Sequence, residues 1–296
     1  MPGYPFFQVD AFTDRPMGGN PCAVLFDTDE MDSNTMLEIA REMNLSETAF
    51  VRKSNQADFG VRYFTPADEI PLAGHPTIAA TFALVDSGRL PIIDDLMTIS
   101  LELQVGPIPV DIHSHKGQVE HIQMTQKKPV FMNTYTAQDM LPVFCLHEDD
   151  LLNGVPIQTV STGTPQLMIP LRSLDALAKA QLDFSAYHHL LDQADFTSPH
   201  LFCLTGATQE GDTFARHLCP PPDVYEDPFT GSATGGMAAY LWRYGLIGKR
   251  KFNAEQGHWI GRPGLAAVEI VGPPEDIQSV KVGGGAVTVL RGEFTL

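Results

Sequence analysis

Basic residues are scarce in this 296-residue chain: 19 Lys and Arg stand against 36 Asp and Glu, a formal charge of −17. So acidic a surface repels phosphate backbones and anionic membranes, which argues against nucleic acid or a membrane as partner. Cysteine is scarce as well. Cys22, Cys145, Cys203 and Cys219 form no CxxC and are irregularly spaced. That pattern supports neither a zinc framework nor a disulfide scaffold, and fits reduced thiols in a cytoplasmic protein. No apolar run reaches the roughly 18–20 residues that cross a bilayer. Met1 to Arg15 has an acid at Asp10 and no basic start, so it does not read as a signal peptide. Low-complexity segments and long linkers are absent.

What is present is a core-forming composition, 43% apolar, punctuated throughout by 23 Pro and 25 Gly. Length suggests two domains of about 150 residues or one large one. Strands are expected at Phe6–Asp10, Cys22–Phe26, Thr48–Arg52 and Phe59–Phe64, then at Met97–Leu103, Pro109–His113 and Val119–Met124. In the second half they are expected at Ile157–Val160, Gln166–Ile169, Leu201–Leu204, Thr213–Arg216, His258–Ile260, Ala267–Val271, Ser279–Val282 and Ala286–Leu290. Met36, Ile39, Ala40 and Met43 fall at helical spacing and predict a helix over Ser33–Met43. Further helices are predicted at Ile78–Val85, Ser173–Ala180, Tyr187–Gln193 and Gly235–Tyr244. Strand–strand neighbours are common among the helices, which predicts mixed sheets and an α+β class rather than a doubly wound parallel sheet.

Two segments resemble each other across the halves. Gly74-His75-Pro76-Thr77 opens an apolar stretch that closes at Gly88; Gly231-Ser232-Ala233-Thr234 opens another that closes at Gly245. Gly, Thr, Leu and the closing Gly coincide without gaps, and Asn20-Pro21 upstream resembles Thr164-Pro165. The order of elements agrees too, as expected of a duplication. Ile78–Val85 and Met237–Trp242 lack a polar face, so each helix must be buried on all sides. The first-turn N–H groups of such a helix need partners. A bound anion, favoured by the helix dipole, is one answer. For either helix alone, a self-cap by Thr77, Ser232 or Thr234 is the expected one.

The residues suited to chemistry are Glu47, His75, Asp227 and Ser232. Glu47 alone reads as a loop acid at the entry to a strand. His75 follows Gly74 at a buried helix start, where the positive helix end favours neutral imidazole. Asp227 precedes Pro228 and lies four residues before Gly231; alone it reads as a turn acid. One imidazole and two carboxylates near anion-binding helix ends could move a proton on a bound carboxylic acid. His113 and His115 share a strand face with His121 nearby, but no third ligand converges, so no metal site is expected. Gly283-Gly284-Gly285 lacks the Lys of a phosphate loop and is predicted to form a tight turn between strands.

Glu47-Thr48-Ala49-Phe50, Gly74-His75-Pro76-Thr77 and Glu226-Asp227-Pro228-Phe229-Thr230-Gly231-Ser232-Ala233 resemble the signature segments of the phenazine-biosynthesis PhzF-like family. Val9-Asp10-Ala11-Phe12-Thr13, Gly19-Asn20-Pro21 and Tyr63-Phe64-Thr65-Pro66 match it as well, in order, from about residue 6 to 290. The resemblance implies a diaminopimelate-epimerase-like fold: two similar domains, each a mixed, barrel-like sheet around a central helix, with the active site between them. The expected division is residues 1–127, with a central helix near 75–87, and 128–284, with one near 232–245, while a strand over 285–296 returns to the first domain. Racemases of this fold use one cysteine from each domain. The matching positions here are His75 and Ser232, so a two-thiol mechanism is disfavoured.

The resemblance further implies a cofactor-independent isomerase without a metal. The match to Glu47 shuttles a proton between carbons, His75 and Asp227 assist, and Asn20, Gly74, Gly231 and Ser232 hold a small carboxylate substrate. A homodimer is the family's usual state, and exposed sheet edges favour it. Ala73 stands before Gly74 where members often carry Cys, and Pro76 replaces a common Ala; these touch pocket shape and not the acid–base set. Two alternatives stay open: an epimerase using Glu47 and Asp227 as an opposed pair, and a non-catalytic binding protein on the same fold.

Overall fold

The computed structural model describes residues 3–220 and 224–296. The chain divides into two compact units, one formed by residues up to 125 together with 283–296, the other by 126–220 and 225–282.

The first unit begins with the strands Gly3–Ala11 (β1) and Asn20–Leu25 (β2). Ser33–Met43 (α1) follows, started by the Asp32 carboxylate, which accepts from the N–H groups of Asn34 and Thr35, and ended by Asn44 in the left-handed region. Its Met36, Ile39 and Ala40 bury against Leu25, Phe50 and Phe64. Then come Glu47–Arg52 (β3), Phe59–Phe64 (β4), Glu69–Ile70 (β5), the helix Gly74–Asp86 (α2), Leu96–Leu103 (β6), Gly106–His115 (β7) and Gln118–Thr125 (β8). Nine of the thirteen α2 residues are buried, on every face. The reason is visible in the packing. α2 touches β1, β2 and β3, and also β8 and the last strand of the chain, so the sheet curls around it.

The second unit repeats the plan. It holds Val130–Tyr135 (β9), Ala137–Met140 (α3), Ile157–Ser161 (β10), Pro165–Pro170 (β11), Leu174–Lys179 (α4), Phe184–Leu191 (α5), Ser198–Cys203 (β12) and Thr213–His217 (β13). Gly231–Arg243 (α6), Lys251–Gln256 (β14) and Gly264–Val271 (β15) complete it. Ten of thirteen α6 residues are buried, packed against β10, β11 and β15.

The strand pairings of the two units have the same logic. In the first, β1–β2 is antiparallel, β2–β3 parallel, β3–β4 antiparallel, β4–β6 parallel and β6–β7 antiparallel. In the second, β10–β11, β11–β12, β12–β13, β13–β14 and β14–β15 run through the same alternation. Each parallel step needs a crossover. The outer helices supply one per unit and the buried helix supplies the other. Finally Ser279–Gly284 (β16) leads into Ala286–Thr295 (β17), which pairs antiparallel with β1 along its whole length.

Two expectations need correction. His258–Ile260 is a single 3-10 turn, set between Gly257 and Gly261, both in the left-handed region. The apolar pair Trp259 and Ile260 suggested a strand, yet both are exposed. Gly283 and Gly284 are not a turn but the end of β16. β14, just upstream of His258, was not among the expected strands.

Candidate active site

In the first unit three element starts converge. Asn20 begins β2, Glu47 begins β3 and His75 is the second residue of α2. The parallel register of β2 with β3 sets Glu47 opposite Cys22. Within this cluster His75 Nδ1 lies 3.3 Å from Glu47 Oε2 and 3.0 Å from Asn20 Nδ2. Asn20 is fully buried and His75 only 3% exposed, while the Glu47 side chain keeps 19% exposure. A carboxylate at the mouth of a buried imidazole–amide pair can meet a substrate that the imidazole itself cannot reach. The Cys22 thiol is pushed well up by its burial and then by the neighbouring Glu47 carboxylate. It is held as the neutral thiol, a poor nucleophile and base.

The first turn of α2 has no side-chain cap. Thr77 was expected to supply one; instead its hydroxyl donates to the Ala73 carbonyl at 2.7 Å and pairs with the Tyr63 hydroxyl at 2.9 Å. Thr234 in α6 does the same, donating to the Thr230 carbonyl at 2.9 Å. The expected self-cap is thus overturned in both helices. A threonine in the second turn reaches the carbonyl four residues back more easily than an N–H of the first turn. Ser232 makes no capping bond either, and α6 also starts without a side-chain cap.

In the second unit, Asp227 is 8% exposed and held from several sides. Its backbone N–H donates to the His217 carbonyl at 2.9 Å, and its Oδ2 accepts from the Thr230 hydroxyl at 2.5 Å. The preceding Glu226 forms a two-pronged pair with Arg216, whose guanidinium also donates to the carbonyls of Leu177 and Ala180. Gly231, the first residue of α6, accepts at its carbonyl from Gln126 Nε2 at 2.8 Å. Thr162 donates to Gln126 Oε1 at 2.5 Å and reaches the Ser232 carbonyl at 3.4 Å. A Cβ at Gly235 would lie 1.8 Å from Gln126 Oε1, so a larger residue there must displace the Gln126 amide.

The sequence argument missed Gln126, Thr162, Arg216 and Gln256, the residues that hold these groups. Thr230 lay inside a quoted motif, but nothing in the motif says where its hydroxyl points. His217, next to Asp227 in the backbone ladder, is driven toward the neutral form by burial, which Asp227 only partly offsets. Among the described residues no group of three His, Cys, Asp or Glu could hold a metal ion, and no helix is long and apolar enough to cross a membrane. His113 and His121 meet edge to face at 5.5 Å between ring centres.

Mixed strands curled about a buried helix in each unit define the diaminopimelate-epimerase-like fold. A hydroxyproline epimerase from Agrobacterium vitis shares it at a TM-score of 0.70 over 99% of this chain and 91% of that one, with 10% identity. Residues 9–292 match the PhzC-PhzF family, phenazine biosynthesis-like protein, and the chain belongs to that family and with it to the isomerases. A PhzF family protein from Bacillus anthracis superposes with a TM-score of 0.88 over the full length of both chains at 29% identity. Trans-2,3-dihydro-3-hydroxyanthranilate isomerase from Pseudomonas fluorescens is 34% identical over 293 residues, 97% of this chain and 98% of the relative. An uncharacterized isomerase, YfhB of Bacillus subtilis, is 35% identical over 89% of each chain.

Proposed function

We propose that this chain is a cofactor-independent isomerase that moves one proton between carbons of a small unsaturated or enolisable carboxylic acid. Glu47 is the shuttle. Its carboxylate takes a C–H proton that conjugation has acidified, the electron pair spreads along the conjugated system, and the carboxyl, after exchange with solvent, returns a proton at another carbon. No bond order is gained or lost overall, and the scheme calls for neither metal nor organic cofactor. The observation that carries this reading is the Glu47–His75–Asn20 cluster at an α2 start without a side-chain cap. The Asn20 amide donates to His75 Nδ1 and so fixes the ring beside the Glu47 carboxylate. The N-terminal turn at Gly74 offers N–H groups and a positive dipole end to the substrate carboxylate. Asp227 assists the transfer, and Gly231 and Ser232 hold the carboxylate. The working form is a homodimer in the cytoplasm.

The test is deuterium wash-in. Trans-2,3-dihydro-3-hydroxyanthranilate, the compound named for the Pseudomonas relatives, and a panel of enolisable acids are incubated with protein in D₂O. Wild type takes up label at carbon, and Glu47→Gln does so on the order of 10²–10⁴-fold more slowly. No label from any compound with wild type refutes the reading. Product inverted at one centre without a shifted double bond would assign the epimerase chemistry instead.

A further inference from the structure

We propose that Thr230 and Gln256 form a positioning clamp for Asp227, a role that rests on Asp227 serving the reaction proposed above. The clamp is a closed ring of hydrogen bonds. Thr230 Oγ1 donates to Asp227 Oδ2 at 2.5 Å. Gln256 Nε2 donates to Thr230 Oγ1 at 3.1 Å and to the Asp227 carbonyl at 2.7 Å. Gln256 Oε1 accepts from the Thr230 backbone N–H at 3.1 Å. Gln256 sits at the end of β14 with 1% of its surface exposed.

The chemistry of the donors fixes every direction in this ring. A backbone N–H can only donate, so the Gln256 oxygen must face Thr230 N and the amide cannot be turned over. Both Nε2 hydrogens are then committed. Because Thr230 Oγ1 receives one of them, its own hydrogen points to Asp227. Oδ2 is therefore an acceptor, and Oδ1 lies outside the ring. A hydroxyl that accepts while it donates is polarised, which strengthens the bond it gives. The neighbouring glycine belongs to the device. Gly257 has φ +81°, and a Cβ there would lie 2.5 Å from the Pro228 carbonyl oxygen and 2.4 Å from that of Arg262. Gln256-Gly257 thus lets the 227–230 turn lie close against the end of β14 and holds it there.

Thr230 and Gln256 act through Asp227 rather than on substrate, so their loss should appear in turnover and not in affinity. The experiment compares Thr230→Val, which keeps the shape and removes the hydroxyl, with Thr230→Ser, which keeps the hydroxyl. Gln256→Glu, which removes the two donors and keeps an acceptor, is a further variant. The probe reaction is the deuterium wash-in on trans-2,3-dihydro-3-hydroxyanthranilate. The ¹³C resonance of the Asp227 carboxyl carbon, assigned by its loss in Asp227→Asn, is followed in parallel without substrate.

Thr230→Val and Gln256→Glu are expected to lower kcat on the order of 10–100-fold with KM within about twofold of wild type. Thr230→Ser restores turnover. The Asp227 resonance moves in Thr230→Val and returns in Thr230→Ser. Wild-type turnover in Thr230→Val, equal impairment of Thr230→Val and Thr230→Ser, or an unmoved resonance overturns the clamp. If wild type itself takes up no label, the proposed reaction fails and the resonance alone decides whether the clamp exists.

Discussion

Replacing Gly235 by alanine tests whether the first turns of α6 are held as described. In a helix interior the change normally stabilises by about 1 kcal/mol, because alanine loses less backbone freedom. Here the new Cβ would lie 1.8 Å from Gln126 Oε1 and 2.5 Å from Gln126 Cδ, and the Gln126 side chain is 5% exposed. The amide must leave. Two bonds go with it: the one given to the Gly231 carbonyl and the one received from Thr162. A buried polar group left without its partner costs roughly 1–3 kcal/mol. Two such losses less the helix gain leave a net cost of about 1–5 kcal/mol.

The assay is urea denaturation of Gly235→Ala, Gln126→Ala and the double variant. With Gln126 already shortened the clash is gone, so introducing Gly235→Ala into that background should stabilise by up to about 1 kcal/mol. The same substitution therefore changes sign with its background. If the two effects add to within about 0.5 kcal/mol, the residues are not coupled and the reasoning is wrong.

Two other outcomes are expected. Burial, with His113 close by, pushes His121 down to about 4, below the roughly 6.5 of the unfolded chain. The unfolded state thus takes up a proton first, and stability that is full above pH 6.5 is lost as pH falls toward 4. Discounted for partial exposure, the loss is about 2 kcal/mol, and His121→Phe should flatten a plot of stability against pH by that amount. An unchanged slope between pH 6.5 and 4 excludes it. Light scattering at micromolar concentration should report a particle of twice the 32.4 kDa chain; a monomer mass removes the dimer.

The buried helices were legible because α2 and α6 have no polar face, and a helix of that kind has one place to go. Glu47, His75 and Asp227 were legible as motifs, since each stands beside a helix-starting glycine or at a strand entry. β14 was not. Its Lys251-Phe252-Asn253-Ala254-Glu255-Gln256 buries Glu255 and Gln256 nearly completely. Glu255 accepts from the backbone and hydroxyl of Thr208, and Gln256 is saturated by residues 227–230. The alternation that starts at Lys251-Phe252-Asn253-Ala254 is cut short at Glu255-Gln256, two polar residues that are buried because partners 26 or more positions away satisfy them. The first-turn caps failed for a related reason: a threonine's spacing says which atoms are near, and not which of the nearby carbonyl and amide groups it will choose.

The pairing of β1 with β17 joins Gly3 to Thr295. Everything in the second unit is synthesised before β17, which joins β2 as a partner of β1, exists. While a ribosome is still at work, the first unit holds an open edge on β1 and a helix wrapped on only part of its circumference. Contacts so distant in sequence form slowly. Removing or tagging residues 286–295 would consequently harm the unit that contains Glu47 and His75, although those residues lie far upstream in the chain.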